Sequence, residues 1–511
     1  MNSTSRRDFL KLAGLGATLF PMVGSLGLPV SQGAAGKSAD SNSPLDSARG
    51  GQSLEKSAGR RPNILVIVTD QQHAGMLSCT GNPWVKTPHL DRLAGGGVRF
   101  ERAYCANPVC VPSRFTMFSG TMPSAIGMDC NKSPVRETPA GILRNTMGTV
   151  FKRAGYRTVY GGKSHFPKTG LRQNAVEAYG FDPLRQQGNE EGREELAEDC
   201  VAFFQQKQEK PFLLVASFIN PHDICFMAMA AAAKRKRESK SRAEEALEAA
   251  LKMPDGVSEK DFFAKYCPPL PANFEIPQNE PEGLTGLDWR MFRPFVRQHW
   301  GEQDWRRHRW AYARLTERVD AQIGRVLEAL KQAGLEENTL VVFTSDHGDM
   351  DSAHRLEHKS MPYEEAMRVP LIVNWKGVTK GGGVDREHLV STGLDLIPTL
   401  CDFAGIAAPS ELKGCSVRKL VEGAAVADWR QTLVVENENS RILHMGRTKY
   451  VVYAQGKQRE QFTDLDQDPG EMKNLAADPK HKAQVEQGRQ ALRAWYAAHG
   501  LELDPKYVVS E

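Results

Sequence analysis

Several acidic, basic and thiol side chains of this sequence stand just beyond apolar runs, where they could converge on charged chemistry. "TDQQ" supplies Asp70 and Gln71, and "SDHGD" supplies Asp346, His347 and Asp349. Oxygen donors joined by one imidazole suit a hard or borderline divalent ion such as calcium, magnesium or manganese. A lone aspartate at such a place is more often a helix cap; two ends that each offer a pair of donors favour a metal. "GGKSHF" puts Lys163 and His165 two residues apart, which in extended chain turns both to one side. "NPHD" adds His222, and "EHKSMPYEE" adds His358 and Lys359. Lysine and arginine around a metal describe a pocket for a tetrahedral oxyanion, with charge placed where it develops during group transfer. In "CANPVCVPSRFTMFSG", spacing leaves Cys110 open as half of a disulfide, a metal thiolate, a nucleophile or the precursor of something else. Arg114 lies one turn from Cys110 if a helix begins there.

These residues need a scaffold. Asn63 to Val68 form a continuous, β-branched apolar run that stops at Asp70, the signature of a strand buried on both faces. Similar runs recur at 157–163, 211–222, 339–349 and 369–375, separated by helical patterns such as "RLTERVDAQIGRVLEALKQAG". The alternation predicts an α/β domain over 61–427, a large mostly parallel sheet sandwiched between helices. Its strands end at Asp70, at Lys163 with His165, at His222, and at Asp346 with His347, and ligands of open α/β sheets gather beyond such carboxyl ends. Between Phe226 and Ala264 an Ala-, Lys- and Glu-rich stretch reads as a solvated helical insertion, its "KRKR" a wet face or, alternatively, a contact for an anionic polymer. From Asp428 to the end, alternating strands and one amphipathic helix predict a small C-terminal α+β domain, 428–511.

The charge balance, 66 basic against 62 acidic residues, gives no argument for a nucleic-acid partner. Paired Arg6 and Arg7 ahead of an uncharged stretch predict a twin-arginine export signal over 1–36, followed by a Ser/Gly/Ala-rich linker over 37–60. The expected location is periplasmic or extracellular, with the twin-arginine machinery as a partner and no stable membrane insertion after signal removal. Nine cysteines without a CxxC pair, in a chain exported already folded, predict no dense disulfide framework.

"CVPSR", Cys110 to Arg114, resembles the C-x-P-S-R signature of type I sulfatases, members of the alkaline phosphatase superfamily. "NILVIVTDQQ", "GKSHF", "NPHD", "SDHGDM", "HKSMPYEEAMRVPLIV" and "TDLDQDPGEMKNLA" resemble family segments in family order, so the likeness runs from 62 to about 480. The resemblance implies that a separate formylglycine-generating enzyme oxidises Cys110 to formylglycine, whose hydrate attacks sulfur. A serine would be trapped as a sulfate ester as hard to hydrolyse as the substrate, whereas a diol supplies its own exit. By position, the resemblance implies a metal held by Asp70, Gln71, Asp346 and His347, with modified Cys110 completing the shell. Calcium is the family default; the imidazole keeps manganese open. Arg114 and Lys163 would steady the diol, His165 would take its proton during collapse, His222 would protonate the leaving oxygen, and Lys359 would bind the sulfate. Many sulfatases carry Asp and Asn where this chain has Gln71 and His347; the Asp-Gln and Asp-His pairs resemble choline sulfatases and phosphonate monoester hydrolases. The function expected is an exported sulfatase acting on a sulfated carbohydrate, with Trp84, Trp289 and Trp300 available to stack on sugars. The alternatives are a phosphonate or phosphate diester hydrolase, a choline-sulfate-like small-molecule sulfatase, or a catalytically silent binding protein.

Overall fold

In a computed structural model the described residues are 61–131, 137–167, 176–185, 193–233, 240–285 and 292–509. The export signal, the linker, the "KRKR" run and Trp289 lie outside them. The first strand, β1 (Asn63–Asp70), is buried along its whole length. The others follow in the chain as β2 (Val98–Phe100), β3 (Ala103–Tyr104), β4 (Arg157–Gly162), β5 (Asp182–Pro183), β6 (Phe212–Pro221) and β7 (Thr339–Ser345). After them come β8 (Leu371–Asn374), β9 (Gly383–Asp385), β10 (Val390–Ser391), β11 (Thr432–Glu436), β12 (Ser440–Met445), β13 (Thr448–Tyr453) and β14 (Glu460–Asp464).

Eight of them form one sheet in the order β5-β4-β6-β1-β7-β8-β2-β9. All its pairings are parallel except the two made by β8. Side chains alternate between faces along each strand. Ile64, Val66, Val68, Leu213, Val215, Leu340 and Val342 therefore pack on one layer, with Met117 and Phe118 and the Leu396–Phe403 helix. Leu65, Ile67, Leu214, Ala216, Val341 and Phe343 pack on the opposite layer, with Phe203, Phe204, Val319 and Ile323. Both faces are covered, which is why the strands read as unbroken apolar runs. The 31-residue helix Glu302–Gln332 supplies much of the second layer, and the chain turns at left-handed Gly334 just beyond it.

The strands β11–β14 make a separate antiparallel sheet. On one face, Val434, Leu443, Tyr450 and Val452 meet Val485, Leu492, Trp495 and Tyr496 of the Lys482–Ala498 helix. On the other, Leu433, Val435, Ile442 and Val451 meet Met350, Met361 and Tyr363, the stretch that carries Lys359. The insertion after His222 forms helices Cys225–Ala232 and Arg242–Leu251. It is less solvated than its composition suggests: Ala243, Ala246, Leu247 and Ala250 are buried, and the last three pack with Ala311, Tyr312 and Leu315.

Candidate active site

The chemistry-bearing strand ends meet. Because β1 lies between β6 and β7, its terminal Asp70 stands beside Pro221, which precedes His222, and beside the β7 end that precedes Asp346. The helix Cys110–Ser119 begins at Cys110 itself, so Arg114 follows one turn later as the sequence predicts. Its N-terminus also brings the positive end of the helix dipole to the thiol. Two glycines permit close approaches. A Cβ on Gly162, at φ +85°, would lie 2.0 Å from Ser217 O; one on Gly348 would lie 1.9 Å from Glu365 O. The first approach seats Lys163 beside β6, where its N–H donates to Ser217 O at 3.0 Å.

Asp70, Cys110, Asp346 and His347 each present one ligating atom, all within 4.8 Å of one another and all buried. Cys110 Sγ lies 3.1 Å from His347 Nε2 and 3.7 Å from Asp70 Oδ1. His347 Nδ1 is 2.9 Å from Gly348 O, so a proton on Nδ1 leaves Nε2 as the lone-pair donor toward the cluster. Gln71 stands next to it: its backbone N–H donates to Asp346 Oδ1 at 3.1 Å, and its Oε1 is buried without a hydrogen-bond partner. Two carboxylates, an imidazole nitrogen and an orphaned amide oxygen are the donor chemistry that a calcium- or manganese-type ion takes, so the residues fit a divalent cation.

Cations close the other sides. Arg114 donates to Asp346 Oδ2 at 2.8 Å, to Asp70 Oδ2 at 3.0 Å and to Ser217 Oγ at 2.8 Å. Lys163 Nζ is 2.7 Å from Asp70 Oδ2 and 4.0 Å from Cys110 Sγ. Lys359 Nζ donates to Cys110 Sγ at 2.9 Å and lies 3.2 Å from His347 Nε2. The segment that delivers it bends through left-handed residues at His358 and Ser360. It is tied by Arg293 to Lys359 O at 2.6 Å, by Ser360 N–H to Pro108 O at 2.9 Å and by Asn437 to Ser360 O at 3.3 Å.

Charge sets the protonation states. Burial pushes the Asp70 carboxyl up, but Lys163, with Lys359 and Arg114, holds it well below the usual range. Burial and Asp70 push the Cys110 thiol up, yet Lys163, Lys359 and His347 draw it well below its ordinary value. Burial, with Lys163 and Lys359 behind it, lowers His222 well below the usual histidine range, so the resting imidazole is neutral.

Of the sequence candidates, Asp70, Gln71, Cys110, Arg114, Lys163, Asp346, His347 and Lys359 form one cluster, and His222 faces it electrostatically. His165 does not follow the expected geometry. The strand β4 ends at Gly162 and His165 takes φ +49°, so the alternation of extended chain does not govern it. It makes no hydrogen bond or ion pair to the cluster, and its Nδ1 is buried and unpartnered. Asp349, grouped in sequence with Asp346 and His347, instead accepts from Gln71 Nε2 at 2.7 Å. Cys105 and Cys110 are both free thiols, so the disulfide reading is set aside. Trp300 packs edge-on against Trp305 in a small core and is a structural residue. Sequence reasoning missed Ser217, mid-chain in an apolar run, and the buried Arg193–Asp223 pair at 2.7 Å beside His222; neither carries a local signal.

The sequence matches the family profile described as Sulfatase over residues 62–406, and the one described as N-sulphoglucosamine sulphohydrolase, C-terminal, over 352–497. A Delta 4,5-hexuronate-2-O-sulfatase of Bacteroides thetaiotaomicron is 30% identical over 451 residues, covering 85% of this chain and 89% of the relative. The solved structure of a 2-O GAG sulfatase superposes with a TM-score of 0.71 at 28% identity, covering 88% of this chain and 96% of that one. The phosphonate monoester hydrolase of Agrobacterium radiobacter shares the fold, with a TM-score of 0.67 at 22% identity over 87% and 97% of the two chains. The match in sequence and architecture along nearly the whole described chain places it in the sulfatase family, the sulfuric ester hydrolases.

Proposed function

We propose that this chain is an exported sulfatase that removes sulfate from a sulfated carbohydrate, using formylglycine made from Cys110 and a divalent cation held by Asp70, Gln71, Asp346 and His347. One observation carries the reading: a single buried sulfur sits 2.9 Å from Lys359 Nζ, 3.1 Å from His347 Nε2 and 3.7 Å from Asp70 Oδ1. A side chain so surrounded can release a proton, attack an electron-poor centre and have its charge neutralised.

Maturation oxidises the thiol-bearing carbon to an aldehyde: the carbon–sulfur bond breaks, a carbon–oxygen double bond forms and sulfur leaves as sulfide, the formylglycine-generating enzyme drawing on an external two-electron oxidant. The hydrated aldehyde carries two hydroxyls on the Cys110 carbon. One attacks sulfur while the bond from sulfur to the alcohol oxygen breaks, and His222 gives that oxygen its proton. The second hydroxyl then yields its proton toward His165, the bond to sulfate breaks and the aldehyde returns. Lys163 and Lys359 face the charge on the transferred group, and Arg114 holds Asp70 and Asp346 apart in fixed orientation. A calcium ion, or manganese, would acidify the attacking hydroxyl and offset negative charge on the sulfate when bound.

The carbohydrate substrate is supported by the hexuronate and GAG sulfates named for the relatives, and the exported location by Arg6 and Arg7 ahead of an apolar stretch. A second reading, phosphonate or phosphate diester hydrolysis, is favoured by the Asp70-Gln71 and Asp346-His347 pairs. The deciding experiment is a release assay with metal-replete enzyme whose formylglycine has been verified by mass. Defined sulfated saccharides and aryl sulfates are run beside phosphonate monoesters and phosphodiesters. Sulfate release is expected to dominate; predominant phosphorus-ester cleavage overturns the assignment.

A further inference from the structure

Gln71 is an unusual choice for holding a cation. A carboxylate presents oxygen whichever way it turns, but an amide turned by half a rotation presents an N–H₂ group, which repels a cation. Something must therefore fix the amide. Its Nε2 donates to Asp349 Oδ2 at 2.7 Å and lies 3.2 Å from His358 Nδ1, which accepts when the ring proton is on Nε2; in that tautomer each amide hydrogen has an acceptor. Those neighbours are themselves anchored. Asp349 Oδ1 accepts from Asp351 N–H at 2.8 Å, and the His358 ring stands edge-on to Phe292 at 5.6 Å. Only Oε1 is left, buried and without a partner.

The backbone is fixed as firmly. Gln71 has φ +69°, a left-handed conformation that costs a non-glycine residue energy and persists only when neighbours enforce it. The Tyr312 hydroxyl, fully buried, donates to Gln71 O at 2.6 Å and accepts from His73 N–H at 3.0 Å, closing the turn from both sides. From this geometry we infer that Asp349 and His358 are positioning residues that lock the Gln71 amide with its oxygen free for the cation, on a turn braced by Tyr312. The inference rests on the reading that Gln71 ligates the cation; it adds the residues that decide which amide atom does so.

The test is calorimetric titration of the metal-free full-length protein with Ca²⁺ alone, and separately with Mn²⁺. The variants are Gln71→Ala, Asp349→Leu, His358→Ala, and each of the last two combined with Gln71→Ala. Removing an outer-shell partner is expected to weaken binding about 10- to 100-fold. The double variants are expected to bind no more weakly than Gln71→Ala alone, because the orienting residues act only through that amide. A merely structural role would instead give losses that add. Additive losses, or wild-type affinity in both Asp349→Leu and His358→Ala, overturn the inference. If Asp349→Leu does not fold, the His358→Ala cycle decides alone. Asp70→Asn separates the two levels: should it leave Ca²⁺ and Mn²⁺ affinity untouched, the cation reading itself fails and the inference falls with it.

Discussion

Arg114 and Asp346 meet with no solvent exposure on either side chain, Nε donating to Oδ2 at 2.8 Å. The same guanidinium reaches Asp70, so one cation holds two buried carboxylates that would otherwise repel. Removing one partner of a buried pair leaves an uncompensated charge, which costs about 3–5 kcal/mol. Arg114→Ala is therefore expected to lower unfolding free energy by about that amount in urea titrations and to abolish sulfate release. Arg114→Lys is expected to recover part of the stability and little of the activity, since an ammonium cannot donate along both of these directions from one rigid plane.

Cys110 presents its sulfur to Lys359, so the thiol is already biased to the anion before any modification. Cys110→Ser is expected to fold as the parent does, because one hydroxyl replaces one thiol of similar volume. It should release no more than a single equivalent of alcohol, the serine ester having no second hydroxyl to expel sulfate. The parent peptide isolated from cells that carry the maturing enzyme is expected to be lighter than its unmodified form by about eighteen daltons. Multiple turnovers by Cys110→Ser would contradict the diol route.

How much of this was readable in the chain follows from how local each signal is. Asp70 and Asp346 were visible because each terminates an apolar run, and a buried parallel strand advertises its own carboxyl end. Arg114 was visible because four residues make one turn. The direction of His165 was not legible, because the extended-chain argument requires strand dihedrals past Gly162 and His165 takes a left-handed φ of +49°. The role of Asp349 was hidden by its neighbours: spacing groups it with Asp346 and His347, but its side chain goes to Gln71, 278 positions away. The Tyr312 brace was hidden for the same reason, its 241-residue separation from Gln71 leaving no periodic trace.

His222 stays neutral in the resting site because burial and two lysines oppose its charge, so its proton must be favoured by the incoming anion. Its service is needed only when the departing alcohol is a poor leaving group. His222→Ala is expected to lose about 10²–10⁴-fold in kcat/KM on saccharide sulfates and far less on nitrophenyl sulfate, whose phenolate leaves unaided. Equal losses on both substrates would assign His222 a binding role instead.

His308 gives the fold an acid limit away from the chemistry. It is fully buried on the Glu302–Gln332 helix, and burial lowers its pKa from 6.5 to about 4, with Asp351 opposing the shift and Arg309 adding to it. Above pH 6.5 the folded and unfolded forms are both neutral, and this group's stabilisation is fully present. Between pH 6.5 and 4 the unfolded chain binds a proton that the fold refuses, so stability falls as pH drops, by about 1.4 kcal/mol per pH unit. His354, lowered to about 4, and His444, lowered to about 3, add to the same trend. Glu471, pushed up to about 7 by burial, opposes it between pH 7 and 4.5, because a carboxyl that prefers its proton when folded gains stability as pH falls. The share of His308 is read as the difference between the parent and a variant in the slope of urea-unfolding stability across pH 7, 6 and 5. His308→Leu, which has nothing to protonate, is expected to flatten that slope by about one histidine's share. An unchanged slope would place the titration of His308 outside the fold's acid response.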